Sequence, residues 1–458
     1  MQTIIEPFRV KMVEPIRATT RADRESLLKT AAYNLFLLKA EDVTIDLLTD
    51  SGTSAMSAQQ WGRMMEGDES YAGAKSFFRF EAAFQRIMGF KYILPVHQGR
   101  AAERILFTTV VRKGQIVPNN THFDTTRANL EYVGAQAVDL PIDEAADFES
   151  PYPFKGNMHI PKLRELLKKE GPARVPLVLM TVTNNSLGGQ PVSLSNIREA
   201  SQVCREFNIP FYLDACRYAE NAFFIKKREQ SQGRRSTREI AREMFSYAQG
   251  CTFSAKKDAL ANIGGMLGLQ SEEWARKCKN LLVLTEGFPT YGGLAGRDLE
   301  AIAQGVDEAL DETYLEYRIA STTYLGKHVA EAGVPIVHPV GGHAIFIDAK
   351  AFSPHIPPQH FPAQALGCEL YLHAGIRGVE IGSLMFGRTD PESKAFVPSR
   401  NELLRLAIPR RAYTQSHIDY VVEAILDVYR NRDQIRGLRI VEETSPLRHF
   451  TARLEPII

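Results

Sequence analysis

The sequence predicts an α/β fold: a large domain on a mainly parallel sheet, joined to a smaller α+β domain. Three observations predict it. From about residue 90 to 265, short apolar runs alternate with amphipathic stretches, the rhythm of βαβ units. A glycine-rich break, TYGGLAGRD, then gives way to a helical pattern too long for one surface helix. Beyond it the chain mixes short strands with a glycine-terminated helix.

Taken in order, KYILPV is a strand and RAAERILFTTVV the helix after it. QIVPNN and VPLVLMTVT follow as strands, SNIREASQVCREF as a helix and IPFYLDA as another strand. Parallel sheets bind ligands beyond the carboxyl ends of their strands, which nominates residues 97–100, 123–126, 183–186, 214–217 and 254–257 for chemistry. The pattern LEAIAQGVDEALDETYLEYRIASTTYLGKHVAEAG is one or two helices leading into the second domain. There, VPIVHPVGGHAIFIDA is expected as strand, turn, strand, PAQALGCELYLHAGIRG as a helix ending on glycine, and ELLRLAIPRR as a strand. The expected division is 1–48 as an N-terminal arm and part of the small domain, 49–311 as the large domain and 312–458 as the small C-terminal domain.

Composition narrows the function. The 458 residues are 44% hydrophobic and 24% charged, ordinary for a globular chain, and the net charge of +1 provides no global field for nucleic acid or an anionic membrane. No apolar run approaches the roughly 20 residues of a membrane helix. The N-terminal stretch is broken by charges and by Pro7 and Pro15, unlike a secretory signal, so a cytoplasmic location is expected. Five scattered cysteines without a C-x-x-C pair point to reduced thiols, and no histidine spacing suggests a transition metal. The expected partner is a small molecule.

The strand FYLDA brings Asp214 to a strand end, and 43 residues later TFSAKKDA supplies Ser254, Lys256 and Lys257. A lysine amine and a carboxylate are what pyridoxal 5′-phosphate chemistry needs, the amine to capture the cofactor aldehyde and the acid to keep the pyridine nitrogen protonated. On spacing alone, a capping aspartate and two solvated lysines remain the stronger reading. HQGRAAE after its strand offers Gly99, Arg100 and a helix start suited to a phosphate, with Ser254 and Lys256 able to join it. Phe123 is suited to stack on a ring, and Asn185 and Arg217 to approach a ring oxygen, although core and capping roles compete.

These motifs, with EPFR, IDLLTDSGT, GDESYAG, GGQPVS, EGFPTYGGLAGRD, GGHA, LRLAIPRR and RHFTARL in one order along nearly the whole chain, resemble the β-eliminating lyases, which have the aspartate-aminotransferase type of fold (fold type I). The resemblance implies a carbon–carbon lyase that uses pyridoxal phosphate to expel the ring of an aromatic amino acid. It makes Lys257 the lysine bonded to the cofactor and Asp214 the partner of the pyridine nitrogen. Gln98, Gly99, Arg100, Ser254 and Lys256 would hold the phosphate, Phe123 would stack on the ring, and Asn185 and Arg217 would approach its phenolic oxygen. Arg405 would bind the substrate carboxylate, a role the residues alone leave open among Arg377, Arg405, Arg410 and Arg411. Tyr71 would protonate the leaving ring across a subunit interface, in a homotetramer. Gly52, Glu69 and Asn262 would hold potassium or ammonium.

Three positions bear on which ring leaves. In the phenol-releasing branch of the family a threonine follows the stacking phenylalanine, an arginine sits in the V-E-x-G segment, and a phenylalanine precedes F-T-A. Here those positions are Asp124, Ile381 and His449, which resemble the indole-releasing branch. An indole protonated at C3 develops positive charge at nitrogen and needs an acceptor, which Asp124 offers and His449 supplements by sharing its proton. The expectation is therefore that L-tryptophan gives indole, pyruvate and ammonia. The alternatives are phenol release from L-tyrosine and a non-catalytic protein of the same fold. One departure runs the other way: the chain lacks an insertion that indole-releasing members carry between VVRKG and HFDTT.

Overall fold

Ten residues, 255–264, separate two neighbouring strands of the main sheet, too few for a crossover helix, and that shortness decides the sheet's topology. In the computed structural model, which describes residues 4–390, 392–393, 395–443 and 447–457, one unit comprises Ser51–Ile319 with Arg410–Ala412. Its strands are β1 (Tyr92–Val96), β2 (Ile116–Asn119), β3 (Gln136–Asp139), β4 (Val178–Thr181), β5 (Phe211–Asp214), β6 (Gly250–Ser254) and β7 (Gly265–Leu269). Five pair in the order β1-β7-β6-β5-β4, and β2 pairs with β3. The pairings β2–β3, β4–β5 and β5–β6 are parallel, while β7 runs antiparallel to both β1 and β6.

Alternation along these strands builds two hydrophobic layers. Met180, Leu213, Phe253 and Met266 join one core with Phe80 and Phe84, while Leu179, Tyr212 and Leu267 join another with Leu106 and Leu282. Strands with both faces covered are apolar throughout, as VLMT and GMLGL are. Each buried leucine or phenylalanine contributes about 2 kcal/mol of transfer free energy. The helices that matter for the site are α1 (Gly99–Val110), α2 (Asp124–Tyr132), α3 (Tyr218–Arg228) and α4 (Gly296–Glu308).

The long helical pattern is two helices, α4 and α5 (Glu312–Glu331); the division into units falls within α5, after Ile319, and residue 312 is its first residue. The other unit comprises Met1–Asp50, Ala320–Pro409 and Tyr413–Ile458. Its sheet, in the order β9-β10-β8, is antiparallel: β8 is Ala344–Asp348, β9 Val379–Ile381 and β10 Leu403–Ala407. The N-terminal segment joins this unit through Ile45–Asp46, paired in parallel with Ile376–Arg377. The helix α6 (Pro362–Ala374) ends on Gly375 at φ 68°, as its sequence predicts. VPIV, which contains Pro335 and lies two residues before Pro339, is not a regular strand of the sheet; Ile336 forms an isolated bridge to Ile347, with the Val337 N–H donating to the Phe346 carbonyl at 2.9 Å and the Asp348 N–H to the Pro335 carbonyl at 3.0 Å. Among the described residues no helix is long and apolar enough to cross a membrane.

Candidate active site

The turn between β1 and α1 is built for an anion. Gln98 stands in extended backbone before Gly99 without a side-chain cap, and the 12-residue helix α1 follows at once, its start directed at the turn. The turn is packed tightly: a Cβ on Gly99 would lie 2.7 Å from the Ser254 Cβ, and one on Gly265 would lie 2.8 Å from the Gln98 carbonyl carbon. Glycine is therefore required by close backbone approach. Lys256, Lys257 and Arg100 converge on the same place; burial first, then the charges of Lys257 and Arg100, hold the Lys256 ammonium below the usual lysine range. Three cations beside a helix start fit a phosphate dianion.

Lys257 follows the end of β6 and its Nζ donates to the Ser254 hydroxyl at 3.1 Å. Asp214 ends β5, buried, and its Oδ1 accepts from the Cys216 thiol at 2.9 Å and from the Cys216 N–H at 3.4 Å. Arg217 occupies the N-cap position of α3, its carbonyl accepting from the Thr183 hydroxyl at 3.1 Å. Asn185 lies buried in the short turn after β4, which Thr183 enters with φ 51°. The turn that carries Lys257 is anchored through Asp258. Its Oδ2 accepts from the N–H groups of Ala219 and Glu220 at the start of α3, at 2.8 and 3.3 Å, and its Oδ1 from Arg410 at 2.9 Å. Arg410 in turn donates to Glu220 at 2.8 Å, which also accepts from Arg318 at 3.1 Å.

Phe123 is the N-cap residue of α2 and Asp124 its first helical residue, buried, with Oδ1 accepting from the Thr125 N–H at 2.6 Å. Sequence reasoning missed three supporting groups here. His122 is held by Asp139, whose Oδ1 accepts from its backbone N–H at 2.9 Å and lies 2.7 Å from its Nδ1. Cys216 holds Asp214. Glu103, one turn into α1, accepts from the Thr126 hydroxyl at 2.5 Å; burial, and then the charge of Asp214, push its carboxyl up to about 8. The only signal in the sequence was the helical spacing of Glu103 from Gly99.

Tyr71 is 68% exposed, its ring lying 5.5 Å from that of Phe288 and 5.3 Å from that of Tyr291. Of the three expected cation ligands, the structure brings two together: the Asn262 side chain donates to the Gly52 carbonyl at 3.0 Å. Glu69 instead caps α4, accepting from the N–H groups of Gly296 and Arg297 at 2.9 and 3.1 Å.

The other unit carries Arg405, Ile381 and His449. Arg405 lies on β10, opposite Val379 on one side and Phe346 on the other, and donates to the Leu48 carbonyl at 3.0 Å. Arg377 is committed to Asp46, and in the first unit Arg410 to Glu220 and Asp258, and Arg411 to Glu308. Ile381 ends β9, buried. His449 is 2% exposed, with the Phe450 ring 4.0 Å away; burial first, then Arg448, lower its imidazole to about 4. Burial thus favours the neutral ring, suited to accept a hydrogen bond rather than to carry charge.

Solved structures share this architecture. A serine palmitoyltransferase from Sphingomonas wittichii superposes with TM-score 0.58 at 13% identity, covering 90% of this chain and 97% of that one. The structure of a SepCysS–SepCysE N-terminal domain complex gives 0.57 at 14%, covering 86% and 96%. The likeness defines the class as the aspartate-aminotransferase-like α/β fold, fold type I. The profile of the family described as "Beta-eliminating lyase" matches residues 46–424. Among curated relatives, the tryptophanase of Salinibacter ruber is 61% identical over 100% of this chain and 96% of its own length, and that of Hyphomonas neptunium 57% over 99% and 100%. The tyrosine phenol-lyase of Symbiobacterium thermophilum is 51% identical over 99% and 98%. The chain belongs to the β-eliminating lyase family.

Proposed function

We propose that this protein is a pyridoxal-phosphate-dependent carbon–carbon lyase that converts L-tryptophan and water to indole, pyruvate and ammonia. The observation that carries the choice of ring is Asp124, a buried carboxylate directly after Phe123 at the head of α2. Relatives called tryptophanase, 55–61% identical, support it over those called tyrosine phenol-lyase, 48–51% identical.

Bound pyridoxal phosphate supplies an aldehyde for the substrate amine and a ring that takes up the electron pair left at Cα. The turn of Gln98, Gly99 and Arg100, with Ser254 and Lys256, would hold its phosphate; Phe123 would cover its ring, Asp214 would face the pyridine nitrogen, and Asn185 and Arg217 the phenolic oxygen. Lys257 would bond the cofactor aldehyde, and its amine would take the Cα proton of the substrate. Arg405 pairs with the substrate carboxylate in two-pronged fashion. Tyr71 delivers a proton to indole C3, and the Asp124 carboxylate and the neutral His449 ring accept from the indole nitrogen as it turns positive. Ile381 leaves an apolar wall where a phenol would want a cation.

Exposure of Tyr71 supports its action in a neighbouring subunit's site, within a homotetramer. Potassium or ammonium would be held by the Gly52 and Asn262 carbonyls, which lie near each other, with Glu69, which caps α4 in the single chain, as the third expected ligand, since hard cations prefer oxygen ligands. The test is to incubate the protein with pyridoxal phosphate and potassium ions. Indole and pyruvate from L-tryptophan are measured beside phenol and pyruvate from L-tyrosine. Indole is expected to dominate; dominant phenol would overturn the choice of ring.

A further inference from the structure

Three carboxyl groups and one lysine lie close together under the proposed cofactor site, and they are not equally provided with donors. Asp214 accepts from an N–H and a thiol of Cys216. Asp124 accepts from the Thr125 N–H and heads a helix, where the backbone dipole favours an anion. Glu103 is 7% exposed and has only the Thr126 hydroxyl at Oε1; its Oε2 is buried without a hydrogen-bond partner among the described residues. A buried carboxylate oxygen without a donor bears the full cost of desolvation, whereas a carboxylic acid does not.

We propose that Glu103 is a positioning residue that works as a neutral acid, tying the phosphate-binding start of α1 to the Phe123–Asp124 start of α2. The groups that face it are Asp214 from β5, Asp124 and Thr126 from α2, and Lys257 from the link after β6. The Thr126 hydroxyl and then Lys257 favour its ionised form, but burial and the Asp214 and Asp124 charges oppose them and prevail, in keeping with the upward shift of its titration. Its hydrogen bond joins two helices whose first residues take different parts of the ligand. Truncating Glu103 therefore acts on Phe123 and Asp124 without touching either. The functional side of this inference rests on the lyase reading; the protonation does not.

The test compares wild type with Glu103→Gln, which mimics the neutral acid, and Glu103→Ala, in the cofactor-loaded full chain. Infrared difference spectra at pH 7 should show a carboxylic-acid carbonyl band in wild type that Glu103→Gln lacks. The sign of the linkage follows from a folded value above the unfolded one for an acid: the preference for the neutral form costs stability as pH rises from about 4.5 to about 8, then levels off. Between pH 6 and 8 the wild-type melting temperature should fall relative to Glu103→Gln by about 3 °C or more. Glu103→Ala should lower kcat/KM for L-tryptophan about tenfold, and Glu103→Gln should restore most of that while moving the alkaline limb of the pH profile. Absence of the acid band together with parallel melting curves would overturn the proposal. If band and melting behave as expected but wild type releases no indole, the lyase reading fails and the neutral acid stands.

Discussion

Burial makes the His449 imidazole neutral, and that has a measurable cost in acid. The unfolded ring protonates near 6.5 and the folded one near 4, so the unfolded state binds more protons between those values and stability falls as pH drops through that window. His449→Phe should remove about 2–3 kcal/mol of this acid loss, read as a smaller drop in denaturant midpoint between pH 6.5 and 4. The slope is opposite to that expected of Glu103, so the two variants separate the groups. Lys257→Ala should lower indole formation about a thousandfold, with partial return on adding a small amine, because the amine removes the Cα proton. Lys257 and Asp214 were legible in the sequence as a strand-end acid and a later lysine, and family motifs supplied Arg405 and Tyr71. Cys216, His122 and Glu103 were not legible: Cys216 reaches Asp214, two residues away, through a side-chain direction that spacing does not reveal, and His122 and Glu103 act through Asp139 and Thr126, which are distant in sequence.

Elements fix the site through close approach rather than through flexible side chains. A methyl on Gly99 would meet the Ser254 Cβ at 2.7 Å, so Gly99→Ala should push α1 from the end of β6 and weaken pyridoxal phosphate binding about tenfold or more, measurable by equilibrium dialysis. The same logic applies at the head of α3, where Asp258 and Glu220 share Arg410. Removing that guanidinium leaves two buried carboxylates under-compensated, and Arg410→Ala should cost about 3–5 kcal/mol in urea unfolding. Strand and helix rhythm was visible in the apolar runs. The antiparallel return of β7 was not, because direction depends on the length of a link that composition does not distinguish from a longer connection. VPIV is only an isolated bridge for a local reason: Pro335 stands inside it and Pro339 shortly after it, and proline cannot donate to a ladder.

At the scale of the molecule, each unit has its own hydrophobic core, and proposed site residues are found in both. The exposed Tyr71, with Phe288 and Tyr291 beside it, makes oligomerisation a functional question. Mixing inactive Tyr71→Phe and Lys257→Ala chains should restore roughly a quarter of wild-type activity if Tyr71 serves a neighbour's site, and none if it serves its own. Residues 255–264, finally, join Ser254 to its register partner Gly265, so the segment bearing Lys257 is a hairpin between β6 and β7. Until those strands zip in the correct register, the lysine and the glycines around the phosphate turn have no common position. Cofactor capture is thereby a late event in the life of the nascent chain, one that reports a finished sheet and passes over chains stalled before it.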